Sequence, residues 1–259
     1  VGDDHRVSGH VVYRGVVARD DMPEDLRWNA AAIWVGPNSH IVHYPLRGGE
    51  QYNLVVTFHS REKEEWGVRD GSAEEVNSYF TEICERPRRL LSKPTSWKRW
   101  STADRDPVER WGRGRATLLG DAAHPMLQYL AQGACMAIED AVTLGAALRA
   151  QPGDIPAAFR AYQQARYLRT GRVQLTARFY GEIYHASGVM RELRNRLRYI
   201  DAHAQFWTIT PGEGDAFEVI FLPRTDPIPC EAPAPRRSAC AGCTGCSARR
   251  RGLSGGQAP

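Results

Sequence analysis

One unbroken string constrains this chain most: Gly120 to Leu144, reading GDAAHPMLQYLAQGACMAIEDAVTL. It follows Ala116-Thr117-Leu118-Leu119, an apolar run that predicts a short buried strand over 115–120 ending in Gly120-Asp121. Open α/β sheets take ligands at the carboxyl ends of their strands, so such a strand would deliver both residues to a ligand. Glycine admits close backbone approach. The Asp121 carboxylate accepts hydrogen bonds from sugar-like hydroxyls more strongly than a neutral side chain would. From Gly133 to Ala150 small residues, with Ile138, Val142 and Leu144–Leu148, predict a helix. Its N-terminus aims free N–H groups and about half a positive charge at whatever precedes it, which suits an electron-rich ring becoming anionic. An isolated Gly-Asp pair could equally cap a turn, with Gly133 relieving a tight bend. The whole string asks for more than that.

Upstream, residues 10–18, 31–35, 40–46 and 52–59 are short, β-branched and aromatic, punctuated by Gly36-Pro37-Asn38 and Gly48-Gly49. This spacing predicts an antiparallel meander. Ser72 with Glu75 three residues on forms a capping box, and Val76, Tyr79, Phe80 and Ile83 extend a helix over 72–85. A Trp-rich stretch (Trp97, Trp100, Trp111) precedes the string, and a long basic helical pattern occupies 156–198. His40 and His43 lie three apart and so face opposite sides of a strand, with His43 assigned to structure. His124 is assigned to the turn that contains it.

As a whole the string resembles the second flavin-binding motif of the class A, single-component flavoprotein aromatic hydroxylases. Asp104-Arg105-Asp106-Pro107 and Trp111 match that family's lead-in, and the resemblance spans about residues 8–198. It implies FAD, with Gly120 and Asp121 at the ribityl chain and Gln132, Gly133 and Ala134 facing the pyrimidine edge of the isoalloxazine. Many relatives carry proline where this chain has Gln128, and commonly Asn where it has Cys135. The run Gln128 to Ala137 is similar to the 3-hydroxybenzoate 6-hydroxylases in particular. There this Gln and a sheet histidine orient the phenol, and the histidine matches His40 in Gly36 to Pro45. The implied reaction uses NADH and O2 to place oxygen para to the 3-hydroxyl, giving gentisate. A histidine of near-neutral pKa shares the phenol proton, and an amide orients the substrate without adding charge. Salicylate 1-hydroxylation with loss of CO2 is the alternative. The implied partners are a small aromatic acid and O2, with room for a homodimer.

The expected fold class is α/β: an α+β substrate sheet plus the remnant of a FAD-binding Rossmann-like domain, with the N-terminal dinucleotide-binding half missing. No Gly-x-Gly-x-x-Gly follows a strand; Gly112-Arg113-Gly114 precedes one and lacks the third glycine. The chain begins at Val1 without Met, so we read it as the inside of a longer chain or a fragment. A non-catalytic fragment is therefore the second reading. The expected segments are 1–100, a substrate sheet; 101–150, the closing flavin motif; 151–223, helical; and 224–259, a disordered tail. Six Arg against two acidic residues give that tail all of the net charge of +4, so the neutral body offers no nucleic-acid surface. No run suggests a membrane span, and two scattered body thiols, Cys84 and Cys135, suit a reducing cytoplasm. Cys240, Cys243 and Cys246 sit among Pro, Ala, Arg and Gly without a fourth ligand at the usual spacing, so no metal site is expected.

Overall fold

Alternating apolar residues near the N-terminus pair into strands, and the computed structural model describes them within residues 5–196, together with 207–211 and 217–221. Strand β1 (Arg6–Ala18) is followed by β2 (Ala31–Gly36), β3 (Ser39–Leu46), β4 (Gln51–His59) and β5 (Gly67–Gly71). Helices α1 (Ala73–Tyr79) and α2 (Glu85–Leu91) lead to β6 (Trp97–Asp104) and a two-stranded hairpin, β7 (Gly112–Arg113) and β8 (Ala116–Thr117). Then come α3 (Gly133–Ala150), α4 (Ile155–Tyr184), α5 (Gly188–Arg196), β9 (Trp207–Pro211) and β10 (Phe217–Phe221). These residues belong to one compact unit, Val1–Arg224. Among them no helix is long and apolar enough to cross a membrane. The tail expected to be disordered lies outside the described residues.

The main sheet is antiparallel, in the order β5-β6-β1-β4-β3-β2-β10-β9. The meander expected from spacing holds only for β2-β3-β4. Strand β1 lies beyond β4, because residues 19–30 carry the chain across in two short 3-10 turns anchored by buried Met22 and Leu26. The outer side of β2 takes β10. The segment expected to be helical to 223 therefore contributes strands as well.

Register sorts the side chains by face. Tyr13, Val56 and Ile41 are cross-strand partners in one row, and Val12, Thr57 and His40 in the next. The first row belongs to the back face, where Val76, Phe80, Leu90 and Leu91 of the α1–α2 region complete the larger core. Tyr79 stacks on Phe58 there, with ring centroids 3.9 Å apart. The helix expected over 72–85 is interrupted. Ser72 caps α1 through Glu75 N–H, but Phe80 leaves helical geometry and a second helix restarts at Glu85. Pro87 explains the restart, since proline is tolerated in a first turn and would break a continuous helix. The other half of the capping box does not form: the Glu75 carboxylate turns to Arg99 and Tyr13.

The second row faces the front. Ile33, Val35 and partly buried Val42 meet Leu127, Tyr129, Ala177 and Tyr184 there. Helix α4 buries Ala158, Tyr162, Arg166, Thr170, Gln174, Ala177, Gly181 and Tyr184, one stripe at spacings of three and four. Asp154 caps its N-terminus through Ala157 N–H at 2.9 Å. The buried strand expected over 115–120 is reduced to Ala116–Thr117 in the hairpin, with Ala116 exposed and Leu119 38% exposed. A buried parallel strand needs neighbours on both sides. Among the described residues only Gly112–Arg113 pairs with it.

Candidate active site

The turn that carries Gly120 and Asp121 is held from behind by buried charge. Gly120 has φ +60°, and a Cβ on it would meet the Ala137 Cβ at 3.2 Å, so glycine serves both the turn and the close approach of α3. The Asp140 carboxylate, fully buried on α3, accepts from Gly120 N–H at 3.0 Å, His124 Nε2 at 2.5 Å and Arg166 Nε at 2.7 Å. Burial opposes its ionisation, but these partners outweigh burial and hold the carboxyl below the usual range. Arg166 also reaches Glu139 at 2.5 Å and the Met136 carbonyl at 3.2 Å. Arg105 donates to the Ala122 and Ala123 carbonyls, and Gln174 to those of Arg105 and Pro125. His124 thus anchors its turn to α3. Asp140, Arg166, Arg105 and Gln174 escaped the sequence reading, although Glu139-Asp140 stands inside the string.

On the open side, Asp121 is exposed and makes no hydrogen bond among the described residues. Its Oδ1 lies 3.7 Å from where a Cβ on Gly133 would stand, so these two residues share one wall. Gln132 precedes α3 without a side-chain cap, leaving first-turn N–H groups beside exposed Ala134 and Cys135. Ala131 turns the chain into the helix in the left-handed conformation, φ +52°, its N–H bonded to the Gln128 carbonyl at 2.9 Å. The Gln128 side-chain Nε2 and the Thr57 hydroxyl are buried without a hydrogen-bond partner. A free carboxylate and an uncapped helix N-terminus fit the ribityl and pyrimidine side of a flavin. For the pyrophosphate the described residues offer nothing comparable, since Gly112-Arg113-Gly114 forms the β7–β8 hairpin.

His40 stands on the front of β3, 4% exposed, with Nδ1 2.7 Å from His185 Nε2. Its ring contacts those of Tyr129 and Tyr184, with centroids 5.6 and 5.7 Å away. The fold thereby brings His40 against the loop that carries Gln128. The near-neutral pKa expected for it is not observed: burial, with His10 adding repulsion, lowers it to about 3. At neutral pH His40 is an uncharged hydrogen-bonding group. His43 faces the back, stacked on Trp34 and accepting from its indole N–H at 3.3 Å. Sequence gave no sign that His10, His59 and His185 would converge, each offering a ring nitrogen within 4.8 Å of the others.

Comparison with known proteins places this arrangement. The family model described as "FAD binding domain" matches residues 10–170, and the chain belongs to that family. It is 64% identical over 197 residues to a 3-hydroxybenzoate 6-hydroxylase of Polaromonas naphthalenivorans (strain CJ2), covering 76% of this chain and 49% of the relative. A 3-hydroxybenzoate 6-hydroxylase of Klebsiella oxytoca is 62% identical over 207 residues, covering 80% and 52%. The chain thus spans about half the length of the curated relatives it matches. Among solved structures, a salicylate hydroxylase substrate complex superposes with a TM-score of 0.65 at 29% identity, covering 77% of this chain and 55% of that one. HpxO of Klebsiella pneumoniae, complexed with FAD and uric acid, gives 0.60 at 29% identity, covering 74% and 50%.

Proposed function

We propose that this chain is the substrate-binding and flavin-facing part of an NADH-dependent FAD monooxygenase that converts 3-hydroxybenzoate to gentisate. The observation that carries the reading is the junction of His40 with the Gln128 loop, in a chain 64% identical to a protein bearing that activity's name. When bound, FAD would supply electron transfer from the nicotinamide and activation of O2. Asp121 would hold the ribityl hydroxyls, with Gly120 allowing close approach. Gln132, Gly133 and Ala134 would face the ring edge, where the N-terminus of α3 favours negative charge. His40, neutral through burial, would hydrogen-bond the phenol oxygen and favour its phenolate form, which raises electron density at the para carbon. Gln128, with its free amide, would orient phenol or carboxylate without ionising.

In this reading 1–100 supplies the substrate sheet, 101–150 the flavin-side wall and 151–223 the backing. Exposed Ile138 and Val142 on α3, and exposed Leu119, support a further layer that brings the pyrophosphate site. The enzyme would work in the cytoplasm, as a homodimer. Variants of the chain joined to a relative's pyrophosphate-binding segment test the roles. Asp121→Ala should weaken FAD retention about 10- to 150-fold, the worth of a charged hydrogen-bond acceptor. His40→Ala should leave flavin bound but divert reducing equivalents from product to hydrogen peroxide. Unchanged coupling in His40→Ala would reduce that histidine to a structural strand residue.

A further inference from the structure

Four histidines meet at one end of the front face, and the flavin reading has no use for three of them. His10 lies within β1, its cross-strand partner His59 ends β4, and His185 follows α4. The Nε2 atoms of His10 and His59 oppose each other directly. The other nitrogen of His10 is bonded to the Tyr129 hydroxyl. His185 is 7% exposed; its Nε2 meets His40 Nδ1 at 2.7 Å, while its Nδ1 is buried with no partner at all. A buried imidazole nitrogen without a partner costs free energy unless something fills the position.

We infer that His10 Nε2, His59 and His185 Nδ1 form a binding site for one divalent transition-metal ion of the zinc, cobalt or nickel kind. Imidazole is the ligand such ions favour, and three histidines leaving one open position is a recurrent arrangement for them. Metal–nitrogen bonds of about 2.0–2.1 Å put tetrahedral ligand atoms about 3.3 Å apart. One ring nitrogen of each of the three histidines already lies within 4.8 Å of the other two, so ring rotations close the site. The outer partners are in place. Tyr129 is bonded to His10 Nδ1 and His40 Nδ1 to His185 Nε2; in the tautomers in which His10 Nδ1 and His185 Nε2 carry the protons, a lone pair of each ligand turns inward. The fourth position opens on a cleft of about 520 Å³ lined by Ser8, Asn38 and Leu127, with room for a water ligand. Arg6 and Arg178 also line this cleft, but both are ion-paired to Asp104, which limits their repulsion of a cation.

The test is a titration of this 259-residue chain with Co²⁺ after chelator treatment, its thiols alkylated so that the tail cysteines cannot compete. One equivalent should bind and give the visible spectrum of tetrahedral nitrogen ligation. His59→Ala, an exposed position whose loss spares the core, should weaken binding at least tenfold, as should His185→Ala. Tyr129→Phe should weaken it about 10- to 100-fold through loss of an outer hydrogen bond. His5→Ala, outside the cluster, should change nothing. No stoichiometric binding by the wild-type chain would overturn the site, as would binding that survives both His59→Ala and His185→Ala.

Discussion

Replacing Asp140 with Ala should uncouple the Gly120 turn from α3. The carboxylate is fully buried and receives three donors, of which Arg166 is itself only 4% exposed. Removing one partner of a buried ion pair costs about 3–5 kcal/mol. Arg166 keeps Glu139 at 2.5 Å, so the lower end, about 3 kcal/mol, applies. Asp140→Asn keeps one carbonyl acceptor and should cost about 1–2 kcal/mol. Urea unfolding followed by circular dichroism reads this directly. With slopes of about 1–3 kcal/mol per molar, Asp140→Ala should lower the midpoint by about 1–3 M. The difference should also depend on pH. Since the folded carboxyl lies below its unfolded value of about 3.9, the contribution is complete above that value and fades as pH falls through the folded one. Wild type and variant should therefore converge in acid. A midpoint shift of about 0.2 M or less at neutral pH would refute the assignment of this carboxylate as the anchor of the turn.

Two further outcomes follow from the same packing logic. Gly181→Ala places a Cβ 2.6 Å from Tyr129 Cε2, so the ring must move off its bond to His10; unfolding should show a loss of about 1–3 kcal/mol, and a neutral result would mean the α4–Tyr129 contact is slack. Glu64, 6% exposed, is held at about 2: burial would raise it, but hydrogen bonds from Arg99, Ser101 and Ser60 prevail. Its contribution is present above pH 4.5 and lost toward pH 2, worth about 3 kcal/mol at most. Glu64→Gln should flatten the acid limb of the stability curve by that amount, and an unchanged limb would contradict the buried pairing.

What the sequence disclosed and what it hid have physical causes. Helix α3 was legible because small residues leave its apolar pattern clear, and its bounds, Gly133–Ala150, match the expectation. The strands within 10–59 were legible because one face of each is apolar and turns separate them. Strands β5 and β6 were not: Val68-Arg69-Asp70 is largely exposed, and β6 alternates Trp97 with Lys98 and buries Arg99. Arg99 looks like a surface residue until Glu64 and Glu75 enclose it at 2.6 and 3.2 Å. The expected strand at 115–120 carried the right composition, but strand character requires a neighbour. For the candidate site, Asp121 and the Gln132-Gly133-Ala134 turn could be singled out because they lie in one short string. The partners of His40 were not, since His185 lies 145 residues away and Tyr129 reaches it only through the loop over the sheet. Long-range convergence of this kind leaves no periodic trace in a sequence.

The proposed function requires that this sheet and this flavin-side wall direct oxygen to the carbon para to a 3-hydroxyl group. The measurement that meets it most directly joins the chain to a relative's pyrophosphate-binding segment, supplies FAD, NADH and O2, and identifies the product by chromatography. Offered 3-hydroxybenzoate and salicylate separately, the protein should convert the first to gentisate with NADH consumed one for one, while salicylate yields little product. Catechol from salicylate with no turnover of 3-hydroxybenzoate would contradict the account.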